Sequence, residues 1–215
     1  MDTEIVRAWV DGWAVSRGAA VPVEEPWGFR IDVGLPEHVT RHVIPDADEA
    51  LIGRLVEKIT GPGTWLKTFV DPEVMAPWLT PAWSYDDPCF LMTTTLHTSA
   101  VEVPAGYHVR TWDRGGVTRA VVLAPNGGYA ARGQVAGPPG AETVVFDQIE
   151  TAPAHRRRGL GRAVMRALAN AAVAEGARAG VLGATVEGQS LYRTVGWTTR
   201  APLTGVVLKA SGTGE

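Results

Sequence analysis

Arg156-Arg157-Arg158-Gly159-Leu160-Gly161 is the stretch that decides the fold of this 215-residue chain. Before it runs a strand-like segment at 143–151 carrying Val144, Val145, Phe146 and Ile149. After it, Val164, Leu168, Ala171 and Ala172 recur along one face of a helix at 161–175, and Gly176 can end that helix. A strand, a glycine turn and a helix N-terminus together make an anion cradle. Glycines let oxygens approach the backbone, the first-turn N–H groups point outward, and the arginines add full charge. The expected ligand is a pyrophosphate, and a solvated basic turn is the plainer alternative.

Two familiar phosphate sites do not fit. A dinucleotide fold needs an acidic residue about 20 positions on, where this chain has Arg178-Ala179-Gly180. A P-loop needs GK[ST], which is missing here.

A second segment adds specificity: Ala184-Thr185-Val186-Glu187-Gly188-Gln189-Ser190-Leu191-Tyr192-Arg193-Thr194-Val195-Gly196-Trp197. The R-x-x-G-x-G turn resembles the acyl-CoA-binding motif of the GNAT acyltransferase superfamily. The second segment is similar to that family's LYxxxGF stretch after the fifth strand. The resemblance is strong over 140–200 and extends back to about 106. It implies an α/β fold with a mixed, mostly antiparallel central sheet flanked by helices. It also implies acetyl-CoA as cosubstrate, with no metal. Backbone groups of Ile149, Glu150 and Thr151 would then bond the pantetheine arm. Arg156, Arg157, Arg158, Gly159, Leu160, Gly161 and Arg162 would hold the pyrophosphate. Thr185, standing where many relatives have Asn, and Gly188 would complete the donor site. Tyr192 matches the tyrosine that protonates the leaving thiolate.

Amine acylation needs a neutral amine, hence a base. Asp147 stands where relatives often carry Glu and is the preferred candidate, with Glu150 in reserve. Period two puts the two on opposite faces of the strand. A solvated or arginine-paired carboxylate is the plain alternative for each.

Further out, the C-terminal half reads as strands at 107–112, 117–124, 129–135, 143–151, 178–184 and 203–208, with helices at 161–175 and 187–194. The N-terminal half reads as a helix at 3–17, strands at 28–33 and 38–44, and a helix opened by Asp46 and Glu49. A strand at 64–70, a short helix from Asp71-Pro72, and a strand at 90–96 complete it. The expected division is residues 1–100, a possible degenerate repeat of the same fold lining the acceptor cleft, and residues 101–215, the acyltransferase unit. A usual GNAT member has two helices between its first two strands. Here Asp113-Arg114-Gly115-Gly116 leaves room only for a turn, so the first half must supply that wall. Its own phosphate turn would fall at His42-Val43-Ile44-Pro45-Asp46, which has no glycine. One donor site per chain follows.

Composition narrows the partners. Twenty Lys and Arg against 23 Asp and Glu give a net charge of −3, so nucleic acid is not an expected partner. Cys89 is the single cysteine and the N-terminus lacks a basic–apolar leader, which suits the cytoplasm. No stretch reaches membrane-span length. His38 and His42 have no third ligand nearby in sequence, so no metal site is expected. Six of the eight tryptophans precede residue 100 and suit a core or the wall of an acceptor pocket. The expected function is acetyl transfer to the primary amine of a small molecule. The alternatives are an aminoacyl-tRNA-dependent transferase of the same fold and a non-catalytic acyl-CoA-binding module. Monomer and homodimer stay open.

Overall fold

The first helix follows from its ends and its stripe. Asp2 accepts a hydrogen bond from the Glu4 N–H at 3.0 Å, and Gly18, at φ +62°, closes the other end. Val6, Trp9, Val10 and Trp13 form its buried face. The computed structural model describes residues 1–210. It places α1 at Thr3–Arg17, β1 at Val23–Glu25, β2 at Gly28–Leu35, β3 at His38–Ile44 and α2 at Glu49–Lys58. There follow β4 at Thr64–Thr68, α3 at Pro72–Met75, β5 at Trp83–Tyr85 and β6 at Cys89–Thr95. The second half holds β7 at His108–Arg114, β8 at Val117–Leu123, β9 at Tyr129–Ala136, β10 at Thr143–Thr151 and α4 at Leu160–Ala174. It ends with β11 at Ala179–Thr185, α5 at Val186–Arg193, β12 at Thr198–Pro202 and β13 at Thr204–Leu208.

Three short strands, β1, β5 and β12, were not expected from the sequence. Each is three to five residues long, too short for an alternating pattern to register. The cap of α2 also differs: Asp48, not Asp46, accepts from the Leu51 N–H at 2.7 Å. Asp46 instead receives the N-terminal amine of Met1 at 2.8 Å.

The strands form two sheets, ordered β1-β2-β3-β4-β13-β5 and β7-β8-β9-β10-β11-β6-β12. Each begins with antiparallel neighbours and continues through one helix-crossed parallel pair, β3–α2–β4 or β10–α4–β11. Each then takes one strand from the other half of the chain, antiparallel to both its neighbours, and ends on a short edge strand. The two sheets thus share one order of strands, each mixed and mostly antiparallel. The two halves are interlocked: β6 lies inside the second sheet and β13 inside the first.

Three apolar clusters stack the layers. Val164, Leu168, Phe146, Leu182 and Trp197 join α4 and α5 to the second sheet. Trp9, Val10, Phe29, Leu91, Val145 and Val181 fill the space between the sheets around α1. Ile44, Ile52, Leu66, Trp83 and Val206 lie under α2. A Cβ at Gly12 would stand 2.5 Å from Val145 Cγ2 and 2.9 Å from the Ala136 carbonyl oxygen, so α1 lies with its backbone against β10 and β9. The N-terminal helix thus covers this face of β9, β10 and β11.

Candidate active site

β10 and β11 pair only over Thr143–Val145 and Ala179–Val181, yet both strands run on, to Thr151 and Thr185. The divergence has a local cause. The β10–β9 register shifts between Asp147 and Glu150, and Gln148 sits at φ +53°. This is a β-bulge, which bends its strand. The Asp147 carboxylate pins it by accepting the Gln148 N–H at 2.9 Å. Beyond Val145 and Val181 the facing edges have no partner strand, which leaves a slot lined by backbone donors and acceptors. In the first sheet β3 and β4 pair without interruption from Thr40–Thr64 to Ile44–Thr68, so no slot forms there.

The bulge also corrects an expectation. Asp147 lies opposite Gln134, and Glu150 opposite Arg132, two residues apart on β9. Both carboxylates therefore point to the same face, the one toward α1. The extra residue cancels the alternation that would have separated them.

At the open end of the slot the basic turn leads into α4. Arg157 has φ +61° and Gly159 φ +78°, a conformation in which successive N–H groups turn to one side. Gly159 is the N-cap of α4 and no side chain caps the helix, so its first-turn N–H groups face outward. A Cβ at Gly161 would lie 3.0 Å from Leu191 Cδ2 and 3.5 Å from Thr151 Oγ1, so this glycine lets α4 meet α5 and the end of β10. Arg158 Nη1 donates to Tyr107 Oη at 3.1 Å, and Tyr107 Oη in turn meets His155 Nδ1 at 2.9 Å. Arg156 Nη1 is 3.6 Å from Glu187. Arg157 and Arg162 are exposed and, among the described residues, form no ion pair. A pocket of about 290 Å³ flanks α4, with Arg162, Met165, Phe146, Thr194 and Trp197 in its lining. Thr185 caps α5, accepting from the Gly188 N–H at 3.1 Å, so both residues serve the helix that carries Tyr192.

Tyr192 is 7% exposed and packs beside Trp197. Burial, and then the charge of Asp147, push its phenol up to about 12, so it keeps its proton at neutral pH. Asp147 is held differently. Burial alone would raise its carboxyl, but Arg17, the Ser16 hydroxyl and the Gln148 N–H together keep it below the usual carboxylate range. Ser16 Oγ donates to it at 2.7 Å and Arg17 Nη2 at 2.9 Å. Gln134 Nε2 donates to Ser16 Oγ at 2.7 Å and ties α1 to β9. Glu150 is half exposed and paired with Arg132 at 3.0 Å.

Several residues on this face were not foreseen. From Asp147 a chain of contacts runs to Arg17, from Arg17 to the Trp13 ring at 5.7 Å, and from that ring to the Arg41 guanidinium at 3.9 Å. Arg41 Nε donates to His38 Nε2 at 3.2 Å, and the His38 ring lies between Trp13 and Trp65. Lys67 is buried and bonds Asp86 at 2.7 Å. One signal was present in the sequence: Arg41 alternates with Val43, and Lys67 with Trp65 and Phe69, so both charges fall on apolar strand faces. Among the described residues no cluster of three or more His, Cys, Asp or Glu is placed to hold a metal.

His38 and His42 carry a pH signature. Burial first, then nearby arginines, push both rings down from 6.5 to about 4, and His42 Nδ1 is buried without a partner. Between those values the unfolded chain takes up protons that the folded chain refuses, so stability falls as pH drops from 6.5 to 4. Full linkage would be about 3 kcal/mol per ring, and partial solvent contact reduces it to about 1–2 kcal/mol each. Urea unfolding at intervals across that range checks this, with His42→Phe expected to lessen the decline. A stability unchanged with pH in wild type would contradict it.

The profile of the Acetyltransferase (GNAT) family matches residues 73–197. No curated protein matches the sequence. Among solved structures, the chain is similar to a GCN5-related N-acetyltransferase from Kribbella flavida, with TM-score 0.65 at 15% identity, over 98% of this chain and 96% of that one. It is also similar to a GNAT-family acetyltransferase from Novosphingobium aromaticivorans, with TM-score 0.60 at 15% identity, over 96% and 99% of the two chains. A tandem GNAT protein from the clavulanic acid biosynthesis pathway aligns over 70% of this chain and 65% of its own, with TM-score 0.51 at 12% identity. With the family profile spanning more than half of its length, across β6, the basic turn and Tyr192, this chain belongs to the GNAT family of acetyltransferases.

Proposed function

We propose that this protein transfers an acetyl group from acetyl-CoA to the primary amine of a small molecule, with both substrates bound together. The observation that carries the reading is the slot between β10 and β11, which lies between the uncapped turn of α4 and the Asp147–Glu150 face, with Tyr192 near enough to feel the charge of Asp147. The turn suits a diphosphate, since the first-turn N–H groups of α4 are uncapped and the exposed guanidiniums of Arg157 and Arg162 lie in the same turn and first helical residues. Acetyl-CoA supplies an acyl group activated as a thioester.

The chain's own residues do the rest. The open edge of β10 around Ile149, Glu150 and Thr151 bonds amides of an extended arm, and an N–H freed at the bulge faces the carbonyl oxygen as charge develops there. Tyr192 holds its proton toward the leaving sulfur. Glu150 takes the amine proton through water. It shares the face of Asp147, whereas Asp147, fixed as an anion by Arg17, is a weak base that holds α1 in place and attracts the ammonium form.

Tyr192→Phe keeps the ring and removes the proton. It is expected to lower kcat by about 10²-fold or more, with CoA affinity nearly unchanged, as general-acid contributions are of that size. Thioester turnover over a panel of primary amines, beside calorimetry with CoA, measures both. Absence of acylation for every amine would overturn the transferase reading, and an unchanged kcat would move the acid elsewhere.

A further inference from the structure

The space between the sheets, on the face of β10 that carries Asp147, holds three cations and two carboxylates. Arg17 is paired with Asp147, and Lys67 with Asp86. The second pairing is built in: Lys67 lies across β13 at Gly205, where any Cβ would come within 2.2 Å of its Nζ. Arg41 is the cation left over. It is 9% exposed, its Nε is spent on His38 and its flat face on Trp13, and among the described residues it has no carboxylate partner. Its two Nη groups have no protein acceptor. They are not sealed either: among the described residues the sealed, unpartnered side-chain atom is His42 Nδ1. Arg17, His38 and Trp65 beside it keep part of their surfaces in water, so the guanidinium lies close to solvent.

A buried charge without a counterion destabilises a fold and persists where a ligand completes it. We propose that Arg41 receives the carboxylate of the acceptor, so that the protein acylates amino carboxylates. This rests on the transferase reading above. The charge count favours a carboxylate over a phosphate: one negative charge balances Arg41, whereas a dianion would leave an excess in the same space. The fork of the two free Nη groups matches a planar carboxylate. Arg41 lies near enough to Asp147 for the charges to interact, and Asp147 near enough to Tyr192. An acceptor seated by its carboxylate on Arg41 would thus extend its amine toward the Asp147–Glu150 face. Burial, and then Arg17, push the Arg41 guanidinium down to about 9, which leaves it charged at neutral pH.

The test pairs amino carboxylates with their carboxamides as acceptors, for wild type and for Arg41→Met, and records melting temperature with and without each compound at millimolar concentration. Wild type is expected to prefer carboxylates by about 10²-fold in kcat/KM, the size of a lost charged hydrogen-bond pair. Arg41→Met is expected to bring that ratio near one, mainly through KM. Free Arg41→Met is expected to melt above wild type, because an uncompensated charge is gone, whereas removing a purely structural arginine would lower the melting temperature. Equal use of carboxylates and carboxamides by wild type, or a preference that survives in Arg41→Met, overturns the proposal. If no amine is acylated, the transferase reading fails by itself, and melting decides the carboxylate site. Stabilisation of wild type but not of Arg41→Met by amino carboxylates supports the site, and absence of stabilisation overturns it.

Discussion

A fragment of residues 101–215 is expected to yield no folded protein, although it contains the basic turn, α4, Tyr192 and six of the seven strands of their sheet. The seventh strand is β6. Without it β11 loses a partner along all seven of its residues, and β12 loses its only partner. The loss of α1 uncovers Val145 and Val181, and β13 has neither β4 nor β5. Unpaired apolar edges of this kind aggregate. The whole stability of an ordinary domain is only about 5–15 kcal/mol, so losses at two strands and a helix face are expected to unfold it. Solubility and circular dichroism of the fragment check this, and co-expression with residues 1–100 should restore a soluble complex. A soluble, active fragment would show that the first half has no part in the fold or the reaction.

CoA binding is expected to fall by about 10²-fold or more in Gly159→Val and in Gly161→Leu, with the fold retained. Several charge-assisted contacts from N–H groups are at stake, each worth about 1.5–3 kcal/mol. The two variants act by different routes. At Gly159 nothing lies within 4 Å, but φ +78° strains a β-branched residue and turns the N–H groups away. At Gly161 the new side chain strikes Leu191 and wedges α5 from α4. Calorimetry with CoA reads the affinity and circular dichroism the fold. Full affinity in both folded variants would remove the phosphate role of the turn.

Much of this arrangement was legible in the sequence, for physical reasons. The helices at Thr3–Arg17 and Leu160–Ala174 announce themselves by period. The turn is legible because glycines between a strand and a helix mark a tight backbone turn and the run of arginines marks it as basic. The faces of Asp147 and Glu150 were misread because the bulge rests on Gln148, and a glutamine gives no sign that φ will be positive. Arg41 and Lys67 were passed over because a charge on a strand is ordinarily solvated. Only the partner sheet and α1 bury them. The exchange of β6 and β13 was not legible, since hydrophobic alternation records which face of a strand is buried and not which strand lies beside it.

That exchange governs how the protein can be made. During synthesis β4 and β5 emerge with the rest of the first half, but the strand that belongs between them, β13, follows only after all of β6 to β12 has been made. The first sheet cannot close until β13 has been made, and β6 waits likewise for β11 and β12. Such distant pairings fold slowly and expose strand edges while they wait. Both halves therefore mature together, and a nascent chain stalled before residue 198 holds two open sheets rather than one finished domain.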